Sequence, residues 1–492
     1  MKHIFLPILA VSVSLLHAAP LELGSPFTEH MVLQRDTKVP VWGWAKPGVK
    51  VEIKIAGQTA TSTAGKDGAW KTTLSPLKTG GPYTFSVTSG KESIRFTDVL
   101  AGEVWIASGQ SNMSFGSKRM IGVEKMLNEA KGRPLRSFNV DKDVSLAPKS
   151  RCQGIWRVQP SSSAVAFAFS LFLQNGLGPE VPVGIIQASW GSSSLEGWMP
   201  LDMTSQFPHF KKAMKAFEKN DKEKVLKLIA DRAAGKKWPN KENIYLRTRP
   251  NILYNAMLHP LVPYASRGMI WYQGEANTKS IDAMLRYGAT LKAWTQRLRK
   301  EWGRDDFYMD VVMLPRFART PDRKAPDDPT AHSWAWMRAA QLEILDLPHS
   351  GVAVTVDLGD PKNIHPHDKA PVGKRLALLA LHDIYGKPVV ARGPMLERAE
   401  PRGSSLRVSF KHAEGLQTTD GKPPRSFWLA DENGQWHPAT TAKIDGNAVM
   451  LSTPKVPRPK FVRYAWTAVP DVNLVNSANL PAAPFRTDSF EP

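Results

Sequence analysis

Cysteine is all but missing from these 492 residues: Cys152 stands alone, so no internal disulfide can form and stability must come from a packed core. Beyond the N-terminus no run of about 18 unbroken apolar residues occurs, which leaves no candidate for a membrane-spanning helix. No internal repeat or low-complexity tract appears, and no HExxH or similarly spaced ligand pair marks a metal centre. Acidic residues are scarce, 45 against 65 lysines and arginines, a net charge of +20. Such an excess can serve nucleic acid, an anionic membrane or an acidic glycan. Much of it, however, lies in "FKKAMKAFEKNDKEKVLKLIADRAAGKK", where Phe210, Met214, Phe217, Val225 and Leu228 recur at near-helical spacing. That pattern describes a helix with a solvated basic face, and no nucleic-acid partner is expected.

What is present is a globular composition, 42% hydrophobic and 22% charged, in a chain long enough for two to four domains. Lys2 and His3 precede an apolar stretch over residues 4–16 and then His17-Ala18-Ala19-Pro20, the order of a secretory leader cleaved after Ala18. The mature chain is expected in the periplasm or outside the cell. The sequence leaves its oligomeric state open.

Residues 19–98 hold short alternating stretches ("VPVWGWA", "KVEIKIAG", "AWKTTL", "YTFSVTSG") divided by Pro47-Gly48, Asp67-Gly68 and Gly80-Gly81-Pro82, as in a β-sandwich. Over residues 99–386 the rhythm changes. Apolar strands "EVWIAS", "VGIIQA", "GMIWY", "FYMDVVML" and "GVAVTVDLG" alternate with helices predicted over 164–178, 281–302, 334–345 and 370–386, which implies a parallel sheet covered on both faces. Strands return in residues 387–492 ("SLRVSF", "RSFWLADE", "AVMLSTP", "FVRYAWT") as a second all-β region. The fold class is α/β with an all-β domain on either side.

Ligands of an open parallel sheet bind beyond the carboxyl ends of its strands. Four strand ends carry unusual loops. Gly109-Gln110-Ser111-Asn112 turns sharply at a glycine, and a helix starting there would favour negative charge beside Ser111. Ser189-Trp190-Gly191-Ser192 can present a bare backbone N–H, and Gln273-Gly274-Glu275-Ala276-Asn277 a side-chain amide. Asp360-Pro361-Lys362-Asn363-Ile364-His365 supplies an imidazole. A hydroxyl nucleophile, a base and N–H donors are the parts of an acyl-transfer site.

"GQSNM", "WGSSSLEGWM", "QGEAN" and "IHPHDK" resemble the four blocks of SGNH hydrolases, and specifically the sialate O-acetylesterase group. "SPFTEHMVLQR", "VPVWGWAKPG", "LYNAMLHPLVP" and "VRYAWTAVPDVNLVNSANLPAAPFRTD" extend the resemblance along nearly the whole mature chain. It implies an SGNH-type catalytic domain, a Ser111 nucleophile, a His365 base, and an oxyanion hole from the N–H groups of Ser111 and Gly191 and the amide of Asn277. It also implies an O-acetylated sugar or glycan as substrate, an acetyl-serine intermediate and no cofactor or metal. Gln110, Trp190, Trp198 and Glu275 are the candidates for contacting the sugar.

Two positions depart from the family pattern. Ser192 stands where a second glycine is usual, and Lys362 where the superfamily places an Asp three residues before the His. The imidazole then takes either Asp360 as third member, or a neutral orienter such as Asn363 or a backbone carbonyl in a Ser-His dyad. Three other readings compete: an acetyl-xylan or other polysaccharide esterase, a metal site built on His365, His367 and Asp368 with Asp357 and Asp360, and a carbohydrate-binding protein without chemistry. The 16 tryptophans favour the last only weakly, because Trp105, Trp271 and Trp294 sit in apolar strands or amphipathic helices and are expected in the core.

Overall fold

A computed structural model describes residues 20–236, 247–318 and 327–492. The expected leader, residues 1–18, and Lys237 at the end of the basic stretch lie outside the described residues.

One strand organises the molecule. Glu92–Gly109 runs 18 residues without interruption. Its first half pairs antiparallel with Gly80–Ser89, and its second half runs parallel between Val183–Ser189 and Gly268–Tyr272. The expected boundary between residues 98 and 99 therefore falls inside a strand, with no linker. Alternating burial gives way there to continuous burial, as the strand passes from a sheet half open to water to one covered on both faces.

The parallel strands lie side by side in the order Leu135–Asn139, Val183–Ser189, Glu92–Gly109, Gly268–Tyr272, Tyr308–Val312 and Ser350–Ala353. Trp105 meets Phe169 of the helix Ala164–Leu177, with ring centroids 5.0 Å apart, and Trp271 meets Trp294 of the helix Tyr287–Trp302 at 4.7 Å. Trp271 pairs in register with Ser108, three residues from Trp105, so the two tryptophans point to opposite faces and each face has its helix. All three tryptophans expected in the core are fully buried.

The N-terminal region adds a three-stranded antiparallel sheet of Glu22–Leu23, Val39–Trp44 and Ala69–Leu74. Where it joins the central strand, fully buried Glu103 accepts bonds from Arg35 Nε at 2.7 Å, Gln34 Nε2 at 3.0 Å and Arg267 Nε at 3.1 Å. A buried carboxylate needs such a shell. After the helix Ala370–Asp383 come two four-stranded antiparallel sheets, one holding Met395–Arg402 and Ser405–Lys411, the other Phe427–Ala430 and Phe461–Tyr464. Arg338 of the helix Trp334–Leu342 anchors them to the parallel sheet. Fully buried, it donates to the carbonyls of Leu314 and Pro315 (2.9 Å each), Thr467 (2.8 Å) and Ala468 (3.0 Å).

Four local expectations are corrected. No helix begins at Ser111: the chain makes one turn, closed by Ser114 N–H donating to Gln110 O at 2.9 Å. Fully buried Asn112 and Met113 draw that turn into the core instead. The strand read over 351–359 ends at Ala353, because Arg375 takes the Val354 carbonyl at 2.6 Å and both Asp357 oxygens at 2.6 Å. The helix predicted over 281–302 breaks at Arg286 into Ile281–Leu285 and Tyr287–Trp302. The basic stretch is likewise two helices, Lys211–Asn220 and Lys222–Ala233, parted at buried Asp221, which pairs with Arg249 at 2.9 Å.

Candidate active site

The central strand stops where its neighbour comes too close for a side chain. At Gly109 (φ 130°) an added Cβ would stand 2.2 Å from the Tyr272 carbonyl oxygen, and the next N–H, that of Gln110, donates to the same oxygen at 2.9 Å. Only glycine permits this approach. Ser111 follows, half-buried at the carboxyl edge of the sheet.

Gly191 faces it across the gap between two strands. A Cβ on Gly191 would lie 3.3 Å from the Ser111 Cβ, so any larger residue would crowd Ser111. Ser192 adopts φ 63°, the left-handed region that the usual glycine enters without strain.

Asn277 is held by both ends of its amide. Its Oδ1 accepts from Leu195 N at 3.0 Å and Gln273 Nε2 at 2.7 Å, which fixes the amide's orientation, while Nδ2 donates to Glu196 Oε2 at 3.0 Å. One Nδ2 hydrogen remains beyond that bond.

His365 is half-buried, and among the described residues its ring has no hydrogen-bonding partner. Its loop is tied to the loop of Ser111 by Asn112, which donates to the Ile364 carbonyl at 3.0 Å. Burial first, then the positive charges of Lys369 and Arg119, hold the imidazole below its ordinary value. It is therefore neutral, and able to accept a proton, at neutral pH.

Asp360 is not brought to the imidazole. Its Oδ1 accepts the Lys362 N–H at 2.8 Å, an Asp turning its own loop, and the residue is exposed. Asn363 does the same for the His365 N–H at 3.0 Å, so its oxygen serves the backbone and not the ring. His367 packs edgewise on Phe115, centroids 5.2 Å apart. Among the described residues no three His, Cys, Asp or Glu side chains gather as metal ligands. With Asp360 occupied in this way, Asp360→Asn is expected to lower turnover by less than tenfold, measured on an acetate ester across pH. A loss near the 10⁴-fold seen when a triad carboxylate is removed from a serine protease would show that Asp360 reaches the ring.

The four residues expected to contact sugar are all buried. Trp190 and Trp198 are fully buried, and Trp198 donates to Ser193 Oγ at 2.9 Å. Gln110 accepts from Gln273 Nε2 at 3.2 Å and Ala276 N at 3.1 Å. Glu275 accepts from Asn112 Nδ2 at 2.6 Å. The protein itself uses these groups, so none offers a face to a ligand.

Sequence reasoning missed the framework that joins the loops. Asn112 donates to Glu275 and to Ile364, and it accepts from Lys369 Nζ at 2.6 Å, so one side chain links the loops of Ser111, His365 and Asn277. Lys369 is fully buried; burial pulls its ammonium down to about 7 against the opposing pull of Glu275 and Asp368. Its position four residues after His365 was the available signal. Glu196, which orients Asn277, had none.

Comparison with known proteins gives three findings. Residues 208–382 match the family of carbohydrate esterases described as sialic acid-specific acetylesterases, a stretch that contains Asn277 and His365. The sialate O-acetylesterases of Homo sapiens and Mus musculus are each 26% identical to this chain over 94% of its length and over 91% and 93% of theirs. A crystal structure of a carbohydrate acetylesterase from Xanthomonas citri is 32% identical, covers 96% of this chain and 100% of its own, and superposes with a TM-score of 0.83.

Proposed function

The chain belongs to the sialic acid-specific acetylesterase family of carbohydrate esterases, and on that premise we propose that it removes acetyl groups from O-acetylated sugars, sialic acids foremost, through an acetyl-serine on Ser111. In this reading the neutral His365 imidazole takes the Ser111 proton as Oγ attacks the acetyl carbonyl. The N–H groups of Ser111 and Gly191 and the free Nδ2 hydrogen of Asn277 receive the oxyanion that forms. Collapse of the tetrahedral adduct expels the sugar oxygen, which collects the proton from the imidazolium. Water, deprotonated by the same imidazole, then attacks the acetyl-serine, and acetate leaves.

The observation that carries the proposal is the meeting of Ser111 with Gly191 at a sheet edge where Asn277 is already oriented. Orientation in advance is what such donors need, because a group fixed before the reaction costs nothing to align as charge develops. The charges that bear on the imidazole are those of Lys369 and Arg119, and no carboxylate of the described residues bonds its ring, so in this reading the imidazolium gains no carboxylate partner and the pair works as a Ser-His dyad. We place the mature enzyme outside the cytoplasm, on the strength of the leader-like residues 1–18.

The test is acetate release from O-acetyl sialic acid, acetyl-xylan and a small chromogenic acetate, together with labelling by a phosphonylating probe. Release fastest from the sialic acid and a single adduct on Ser111 are expected. Release fastest from acetyl-xylan would move the substrate to plant polysaccharide, and absence of both turnover and adduct would leave a binding protein.

A further inference from the structure

Lys369 stands where local physics opposes a lysine. It is fully buried, and burial favours the neutral amine over the ammonium. It holds the cap position before the helix Ala370–Asp383, at the positive end of the helix dipole, where a carboxylate or hydroxyl is preferred and a cation is repelled. Its ammonium donates to the neutral Asn112 Oδ1 at 2.6 Å and enters no ion pair among the described residues. The ring centroids of Phe115 and Tyr272, each 5.3 Å from Nζ, replace part of what water would supply. Apolar side chains of similar volume often replace buried charges without loss of stability, so a lysine here points to a contribution of another kind.

That contribution passes through Asn112, the residue after Ser111. The Asn112 amide is used at both ends: Oδ1 accepts from Lys369, while Nδ2 donates to the Ile364 carbonyl at 3.0 Å and to Glu275 Oε1 at 2.6 Å. A side-chain amide can turn over and exchange its ends, but a cation on the oxygen holds one orientation. Lys369 thereby fixes the donor that ties the loop of Ser111 to the loop of His365. The imidazole has no hydrogen-bonding partner of its own among the described residues, so its place relative to Ser111 depends on how that loop is held.

Charge adds a second effect. The carboxylates acting on Lys369 are Glu275, across the turn, and Asp368, its neighbour in the chain, while Lys369 and Arg119 act on His365. His367 is turned to Phe115, and burial keeps the Tyr272 phenol protonated. Both cations disfavour a second hydrogen on the His365 ring. Lys369 gives up its own proton only at about 7, whereas His365 takes one up below its ordinary 6.5, so the lysine is charged while the base titrates.

We propose that Lys369 is a positioning residue for the hydrolysis: through Asn112 it holds the loops of Ser111 and His365 together, and its positive charge keeps the imidazole free to accept the Ser111 proton in mildly acidic solution. This rests on the acetylesterase reading above and adds the conditions under which the site works. A triad carboxylate would act in the opposite sense, holding a proton on the imidazole and stopping the reaction at a higher pH.

The experiment follows hydrolysis of 4-nitrophenyl acetate by the full chain across pH, for the wild type, Lys369→Met and Lys369→Arg. The acid limb of kcat/KM reports the base of the free enzyme. In the wild type it is expected below 6.5. Lys369→Met should move it up towards 6.5 and lower the plateau kcat about 10- to 100-fold with a smaller change in KM, the effect of misplacing a group that never touches substrate. Lys369→Arg keeps the charge, so its limb should stay low while part of kcat is lost. A residue that only supported the fold would leave the limb where it is. A limb that does not move in Lys369→Met, or a loss carried by KM alone, overturns the proposal. So does a wild-type limb at or above 6.5, or a Lys369→Arg limb that rises to it, and neither of these needs Lys369→Met to fold. A wild type that hydrolyses no acetate ester at any pH would instead remove the hydrolytic reading, and the proposal with it.

Discussion

Ser111→Ala is expected to lower acetate release about a thousandfold or more while the protein unfolds at the wild-type temperature. The activity falls because the acetyl group loses the oxygen that accepts it. What remains is the contribution of the oxyanion donors and substrate binding, which in serine proteases survives loss of the nucleophile. Stability should be untouched: Ser111 is half-buried, and among the described residues its hydroxyl makes no hydrogen bond, so the change deletes neither core volume nor a bond. The measurement is turnover of a chromogenic acetate beside thermal unfolding of both proteins. A folded variant that kept more than about a thousandth of the turnover would show that another group attacks.

Asp310→Asn is expected to abolish a pH dependence of stability that the wild type carries. Asp310 lies in the strand Tyr308–Val312 and is fully buried, its Oδ1 2.5 Å from where a Cβ on Gly351 of the next strand would stand. Neither carboxyl oxygen has a hydrogen-bonding partner among the described residues. Burial, with a smaller push from Asp383 and against the pull of Arg392, raises the carboxyl to about 8 from an ordinary 3.8. Between those two values the unfolded chain has released a proton that the folded chain retains. Folded protein is therefore favoured fully below about pH 4 and progressively less as pH rises towards 8, at about 1.4 kcal/mol per pH unit. At pH 7 the accumulated loss is on the order of 4 kcal/mol.

Asparagine has the same shape and no proton to release. Its own hydrogen bonding adds a constant, so the informative quantity is how the difference between variant and wild type changes with pH. In denaturant unfolding, Asp310→Asn should gain on the wild type by about 4 kcal/mol between pH 4 and pH 7. A difference that stays constant over that window would mean that Asp310 ionises normally in the folded state. Carboxylates held low by cations, such as Glu103 with Arg267 and Arg35, lose their contribution as pH falls below the ordinary carboxylate range, outside most of this window.

Much of the fold could be read from the chain because its signals are local. Five apolar runs became parallel strands, since each needs only its own residues to mark it as buried on both faces. The misreadings come from contacts that no window contains. "GVAVTVDLG" looks like one strand, yet Arg375, 21 residues beyond Val354, claims the carbonyl that would have continued the ladder. A helix after Ser111 was a fair inference from a strand ending in glycine, but burial of Asn112 and Met113 turns the chain elsewhere.

The same division runs through the site. By itself the chain determined which loops stand at the sheet edge and which of their residues have usable chemistry, because glycine at a strand end, a following serine and a histidine in a Pro-bounded loop are short patterns with short-range causes. Only the tertiary structure decided which of those groups remain for a substrate. Trp190, Trp198, Gln110 and Glu275 are consumed by neighbours; Asp360 turns to its own loop; and Lys369 and Arg247 reach the site across 257 residues to Asn112 and 56 to Gly191. Such contacts form when distant segments pack, and a residue's partner at that range depends on the whole arrangement of the sheet, which no local periodicity records.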